Sequence, residues 1–355
     1  MPVTINGTSG VTTPAIDAAS GNADLTTLSV AGNEISAVNS LGFRNRIING
    51  GMVIDQRNAG ASQTPTADDT FNVDRWAAGI NVASKFSMQQ NTADAPTTQG
   101  FSHCVKITSL SAYSLGAGDV AVFKQTVEGL NMADFAWGTA SAKAVTLSFW
   151  VRSSLTGTFG GTMMNSAQNR AYPFTYTISA ANTWEQKTIN VAGDTTGTWL
   201  TTNGAGIKLG FQLGVGSTFT GTAGSWAASN LWGATGATNI LGTNGATWFI
   251  TGVQLEAGSV ASPFERRDYG RELMMCQRYF QKTQSLIAAN YVAGGTTGFI
   301  TWLFKVNMRA APTVSYASGS TIAGTNNVSE DLVTAYRGGG DYVYINTGST
   351  ASAEL

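Results

Sequence analysis

The stretch Trp248–Lys282, WFITGVQLEAGSVASPFERRDYGRELMMCQRYFQK, changes its hydrophobic period in mid-course, and that change limits what the chain can become. From Phe249 to Leu255, apolar Phe249, Val253 and Leu255 alternate with Gly252 and Gln254, the period-two pattern of a strand with two unequal faces. After Pro263 the apolar residues Phe264, Tyr269, Leu273, Cys276 and Phe280 fall three to five apart. Spacing near three and four suits one face of a short amphipathic helix, and Asp268 is placed to cap its start. A core strand, a polar turn and a strapping helix are therefore expected here.

Upstream, the same period-two signal recurs. Lys85–Gln90, Phe101–Thr108, Val120–Val127, Val145–Arg152, Tyr172–Ser179, Trp184–Val191 and Ile207–Leu213 read as strands, separated by Gly, Ser, Asn or Pro. Short strands at such intervals predict a two-sheet sandwich. Composition agrees, because the 42 Gly are spent on turns while nine Trp, ten Tyr and sixteen Phe are enough to fill a core. In Val145–Arg152 one face is apolar, and the other carries Trp150 and Arg152, a pair that a neighbouring chain could cover. Between Val127 and Ala144 a loop with a helical turn is expected, with Phe135 and Trp137 capping the core. Leu41–Asn58 predicts a strand, a tight turn at Gly50-Gly51 and a second strand.

Charge excludes several classes of function. Lys and Arg total 20 against 21 Asp and Glu, so the net charge is −1, and a chain this close to neutral is not built to grip a phosphate backbone. No apolar run nears the ~20 residues that span a bilayer, and the N-terminus lacks the basic start and apolar core of a leader. The expectation is a chain neither inserted in a membrane nor exported by a leader. Cys104 and Cys276 form no disulfide framework and read as small buried apolar residues. His103 is the sole histidine, so the sequence offers no zinc constellation.

Three regions follow from these patterns: an extended N-terminal segment (1–40), a β-sandwich body (41–282) and a small C-terminal β-domain (283–355). The first holds no aromatic residue and cannot bury enough surface to fold alone. Its TLSVAGNEI is nevertheless patterned like a hairpin, which suggests ordering by other chains, and a disordered tail is the alternative. In the third, Gly298–Met308, Thr313–Ser318 and Asp341–Thr347 read as strands, with Asn326-Asn327 and Gly338–Gly340 as turns. Tyr336, Arg337, Tyr342 and Tyr344 there are candidates for a recognition surface, or for edge packing.

The segment with the most unusual chemistry is Gly214–Gly245, which has no charged residue and carries Phe219, Trp226 and Trp232 among small polar residues. Long connections between core strands are where function tends to sit. Sugars stack C–H bonds on aromatic faces and need neutral donors and acceptors for their hydroxyls. Trp226, Trp232, Phe219 and Asn230 are therefore the candidate glycan-binding residues. Anchoring of the loop, or packing across a subunit interface, is the competing account of both tryptophans.

Gly252–Phe280 resembles the signature near the C-terminal end of the jelly-roll module of bacteriophage tail-fibre and tail-spike proteins, a module akin to carbohydrate-binding domains. Phe43–Gly60, Phe71–Gly79, Val122–Leu130, Val145–Ser154 and Asn182–Asp194 resemble further segments of that family in the expected order. The resemblance implies a mainly β jelly-roll body, an N-terminal segment joining other virion proteins, and a homotrimer in the virion, assembled in the host cytoplasm. It also implies Trp76 in the core, Asp74 paired with Arg75, and Glu256 tied to Arg266 or Arg267. Such modules often hold a structural calcium, for which Asp68, Asp69 and Asp74 are the nearest carboxylates, although a solvated loop is the plainer reading. No other cofactor is expected.

Three functions are compatible. The first is a non-enzymatic adhesin that recognises a host surface polysaccharide, strengthened by trivalency. The second is a structural tail, collar or capsid-decorating fibre. The third is a polysaccharide depolymerase, which needs two carboxylates about 5–10 Å apart across a sugar. Thr195–Leu255 has no acid at all, which leaves Asp134, Asp194, Glu185 and Glu256 without a marked pairing.

Overall fold

The computed structural model describes residues 28–30, 33–35, 43–288, 297–338 and 343–355. The chain divides into two units, Met1–Arg44 and Asn45–Leu355. In the first, β1 (Leu28–Val30) and β2 (Asn33–Ile35) pair antiparallel with Leu28 opposite Ile35, the hairpin expected of TLSVAGNEI. The rest of the expected N-terminal segment lies outside the described residues.

The second unit contains a jelly-roll-like sandwich. Its strands are β3 (Thr70–Phe71), β4 (Ala77–Ile80), β5 (Phe86–Asn91), β6 (Cys104–Ser109), β7 (Val120–Glu128), β8 (Val145–Ser153), β9 (Gly157–Met164), β10 (Ala171–Ile178), β11 (Glu185–Val191) and β12 (Ala205–Val215). A parallel two-residue pair follows, β13 (Thr220–Gly221) with β14 (Gly233–Ala234), and then the long β15 (Thr247–Ala257). One sheet runs β10-β9-β12-β7-β4-β3 and the other β11-β8-β15-β6-β5. Successive strands pass repeatedly from one sheet to the other, so inward residues of both build a single core. Trp76 stacks on Phe123 at 5.1 Å, and Phe211 meets Phe149, Phe174 and Trp248. Phe135 and Trp137 are buried beside short 3-10 turns, as expected of core caps.

The entry segment differs from expectation. Leu41–Asn58 does not form two strands: its described part, from Phe43, is irregular coil. Side-chain amides take the place of a ladder. Asn45 Oδ1 accepts from Ile47 N and Leu255 N, Asn49 Oδ1 accepts from Ile54 N, and Gln125 bonds both N and O of Ile48. Buried backbone groups are thus satisfied without strand pairing.

The strapping helix α1 (Tyr269–Gln277) begins where Asp268 Oδ1 accepts from Arg271 N at 2.9 Å. Cys276 is buried under it, but Tyr269 is 62% exposed, Phe264 precedes the helix and Phe280 follows it, so the expected apolar stripe is only partly used. Among the described residues no helix is long and apolar enough to cross a membrane.

Beyond α1, the second unit continues through β16 (Phe280–Lys282), β17 (Leu286–Ala288), β18 (Thr297–Leu303), β19 (Thr313–Ser315), β20 (Gly324–Val328), β21 (Leu332–Gly338), β22 (Val343–Ile345) and β23 (Thr350–Ser352). Trp302, Ile300, Val333 and Ile345 form their own apolar core. Asn326 and Asn327, expected in a turn, lie in β20 at a register shift, where their side chains stay exposed. The strand β23 pairs with β16 and β19. Just beyond it, Glu354 receives both Arg57 and Arg75.

Arg75 is therefore not paired with Asp74. Its guanidinium reaches Glu354 and Thr126 O and lies 3.5 Å from the Tyr279 ring centre, while Asp74 is held by Gln56. At the end of β15, Ser262 and Gln254 hold Glu256. Glu256 accepts from Ser262 N, Ser262 Oγ and Gln254 Nε2, whereas Arg266 donates to the carbonyls of Gln99 and Gly100 and Arg267 to those of Asn45 and Ile47.

Candidate functional site

The 214–245 connection lies back across the outer face of the six-stranded sheet. Outward-facing Val120 and Val122 of β7, Met164 of β9, Ala171 of β10 and Val215 of β12 form an apolar patch, on which Trp232, Phe219 and Leu231 pack. Polar bonds fix the loop in place. Trp232 N donates to Phe219 O (2.7 Å), Thr162 Oγ1 to Leu231 O (2.8 Å), Ala234 N to Gln212 Oε1 (2.9 Å), and Ala171 and Ala227 exchange backbone bonds. The indole packs closely over Gly210, where an added Cβ would lie 3.6 Å from the Trp232 ring, in ordinary van der Waals contact. A chargeless sequence suits this position, because a charge here would be desolvated against the apolar patch.

Three of the four candidate residues converge. Phe219, Asn230 and Trp232 line one depression of about 220 Å³ together with Asp68, Lys124 and Gln168. That is below the ~300–1,000 Å³ of drug-sized pockets, so it suits a single sugar residue. Lys124 Nζ lies 2.9 Å from Asp69 Oδ1, 3.1 Å from Asp68 Oδ1 and 5.8 Å from the Trp232 ring centre. On the neighbouring strand Lys208 is half-buried, and burial together with the Lys124 charge lowers its pKa. Among the described residues Asn230 Oδ1 is buried without a hydrogen-bond partner, an acceptor available to a ligand hydroxyl. Trp232 is only 8% exposed and offers a ligand little of its face.

Trp226 is elsewhere. It sits edge-on to Trp137, Trp199 and Tyr172 with ring centres 5.2–5.3 Å away, and its Nε1 donates to Ala192 O at 2.8 Å. Beside it Arg170 forks onto Asp194 at 2.9 and 2.5 Å. Burial pushes the Asp194 pKa up, but the Arg170 fork, Thr196 N–H and Trp199 indole outweigh it, and the net shift is downward. This cluster is anchored like core.

The carboxylates weighed for hydrolysis all have structural partners. Asp134 meets Arg46, Asp194 meets Arg170, Glu185 meets Lys187 and two backbone N–H groups, and Glu256 meets Ser262. The acids considered for calcium are divided: Asp68 and Asp69 share Lys124, while Asp74 faces Gln56. They do not form a shared oxygen cage, and among the described residues no three His, Cys, Asp or Glu side chains gather as a metal site. Sequence reading missed Lys124, Asp68 and Gln168 as members of the depression. Its outward position on a strand was the one available signal for Lys124, and nothing local marks Gln168.

No protein-family model matches the chain, and no curated protein matches it. Solved structures with similar folds include the enzymatically active domain of bacteriophage CBA120 tailspike protein 4, at 14% identity and a TM-score of 0.33. That match covers 60% of this chain and 21% of the tailspike chain, so the chain spans about a fifth of that protein. A family 11 carbohydrate-binding module from Clostridium thermocellum, in complex with a mixed-linked tetrasaccharide, matches at 10% identity and a TM-score of 0.29, covering 57% of this chain and 98% of the module. The N-terminal cellulose-binding domain of Cellulomonas fimi β-1,4-glucanase C matches at 14% and 0.27, covering 56% and 100%. Likeness at these scores carries none of those proteins' properties over to this chain.

Proposed function

We propose that the protein is a non-enzymatic, glycan-binding component of a phage virion, a homotrimeric adhesin that takes one sugar residue of a host surface polysaccharide in the depression at Asn230. The observation that carries this reading is the convergence of Phe219, Asn230 and Trp232 around an acceptor with no partner of its own. Residues singled out for sugar chemistry in a loop of thirty-two need not meet; here three of the four do, with Lys124 and Asp68 at the rim. The virion setting and the trimer rest on the ordered sequence resemblance, and a weak single-residue site fits a protein that binds through several copies. The burial of Trp232 and the anchoring of Trp226 favour a second reading, a structural fibre with no glycan site.

The test is binding of the purified protein to a panel of bacterial surface polysaccharides, with released reducing sugar assayed in the same tubes and mass measured by light scattering. Asn230→Ala is expected to weaken binding about tenfold, the worth of one well-placed hydrogen bond. Trp226→Ala is expected to leave binding unchanged. Released sugar would replace the adhesin with a depolymerase, and absence of binding by folded protein would leave the structural reading.

A further inference from the structure

The outer face of the other sheet carries a second arrangement, fixed by strand register. Gln89 on β5 lies opposite Lys106 on β6, Lys106 opposite Phe249 on β15, and Phe249 opposite Arg152 on β8. Trp184, just before β11, ends the row with its ring centre 6.2 Å from that of Phe249. Strands are ~4.8 Å apart, so the row crosses roughly 20 Å of sheet. Two cations flank one ring: Lys106 Nζ is 5.6 Å and the Arg152 guanidinium 4.8 Å from the centre of Phe249. Two residues along β8, on the same face as Arg152, Trp150 stands between Thr251 and the exposed Gln186.

An open groove of about 420 Å³ runs beside this row, between the 93–99 loop and Arg152, Thr183 and Trp184. The loop is braced from both sides: Trp184 Nε1 donates to Asp94 O at 2.9 Å, and Arg266 holds Gln99 O and Gly100 O. Its one carboxylate, Asp94, is 3.1 Å from Arg152 Nη1. On a chain of net charge −1, two cations therefore meet one carboxylate here, among aromatic rings and amides.

We propose that this row is a second carbohydrate surface, distinct from the Asn230 depression, that binds a segment of a carboxylate-bearing polysaccharide. Arg152 presents a planar fork to one uronate carboxylate and Lys106 a point charge to another, while Trp150 and Trp184 offer ring surface to the sugars between. The spread of the row suits an extended polymer better than a single sugar. A nucleic acid fits less well, since closely spaced phosphates would face Asp94 with only two cations to meet them.

The test uses the full chain in affinity electrophoresis through gels containing polygalacturonate, neutral dextran or single-stranded DNA. Retardation by polygalacturonate alone is expected, falling as salt rises. Lys106→Gln and Arg152→Gln are each expected to weaken it about tenfold, as loss of a charge-assisted contact does. Arg152 also braces the 93–99 loop, so Lys106→Gln carries the test if Arg152→Gln fails to fold. Asn230→Ala is expected to leave this binding intact, which separates it from the reading above. Equal retardation by dextran or by DNA, or retardation indifferent to Lys106→Gln, would overturn the proposal.

Discussion

Asp74 gives the fold an unusual pH dependence. Its carboxyl is 1% exposed beneath the irregular 45–58 segment, where Oδ1 accepts from Gln56 N at 3.0 Å and Oδ2 from Gln56 Nε2. Burial raises its pKa from the ordinary 3.8 to about 6, against the pull of Gln56 and the Arg57 charge. Between those two values the folded chain holds a proton that the unfolded chain has lost. Stability therefore falls as pH rises through that window, the reverse of the usual carboxylate. A gap of about 2 pH units at ~1.4 kcal/mol per unit gives about 3 kcal/mol.

Other carboxylates blur the profile of the wild-type protein, because Asp194 and Glu185 have lowered pKa values and act with the opposite sign. They cancel in a comparison with Asp74→Asn. Tryptophan fluorescence during urea unfolding, repeated between pH 3.5 and 7.5, measures both proteins. The wild type should lose about 3 kcal/mol relative to Asp74→Asn as pH rises through this range. Profiles that stay parallel would show that Asp74 is ionised in place at no cost, and the argument from burial would be wrong.

Two further changes test the packing of the same region. Arg278→Ala removes a fork of 3.0 and 2.7 Å from Glu128, which is 1% exposed and would keep Tyr279 Oη as a donor; the expected cost is about 3 kcal/mol by chemical unfolding. Gly50→Ala would drive a Cβ into the Val253 carbonyl oxygen, and since backbone cannot yield as a side chain does, a loss of roughly 3 kcal/mol is expected in the same assay.

Much of the sandwich was legible because period two is written into it. The strands at Val120, Val145 and Trp184 begin within a residue of expectation. By contrast, β9, with the sequence GTFGGTMM, gave no signal: Gly160 and Gly161 lie where a side chain would strike Gln212 and Phe174, so small residues replace alternation. The coil at Asn45–Asn58 read as two strands because its apolar residues are core-facing, while the amides that replace the ladder look like turn residues in sequence. The depression was half legible. Aromatic and amide residues in one chargeless loop could be picked out, but Lys124 and Gln168 join them only through sheet topology, which local pattern does not encode.

The residues that carry the sequence resemblance turn out to be scaffold. Arg75 of one segment, and Arg278, Tyr279 and Phe280 of another, meet in a largely buried network: Arg75 lies over Tyr279, Tyr279 donates to Glu128, Arg278 forks onto Glu128, and Arg57 lies over Phe280. Glu354, just past β23, closes the network on Arg57 and Arg75, linking the C-terminal strands to the sandwich. Such a junction tolerates little change, because removing one partner strands a buried charge. The two candidate glycan surfaces lie on outer sheet faces and in connections, where a substitution such as Asn230→Ala or Lys106→Gln leaves that network untouched. The proposed ligand specificity of this chain is therefore to be tested at Asn230, Lys124, Lys106 and Arg152 rather than within that network.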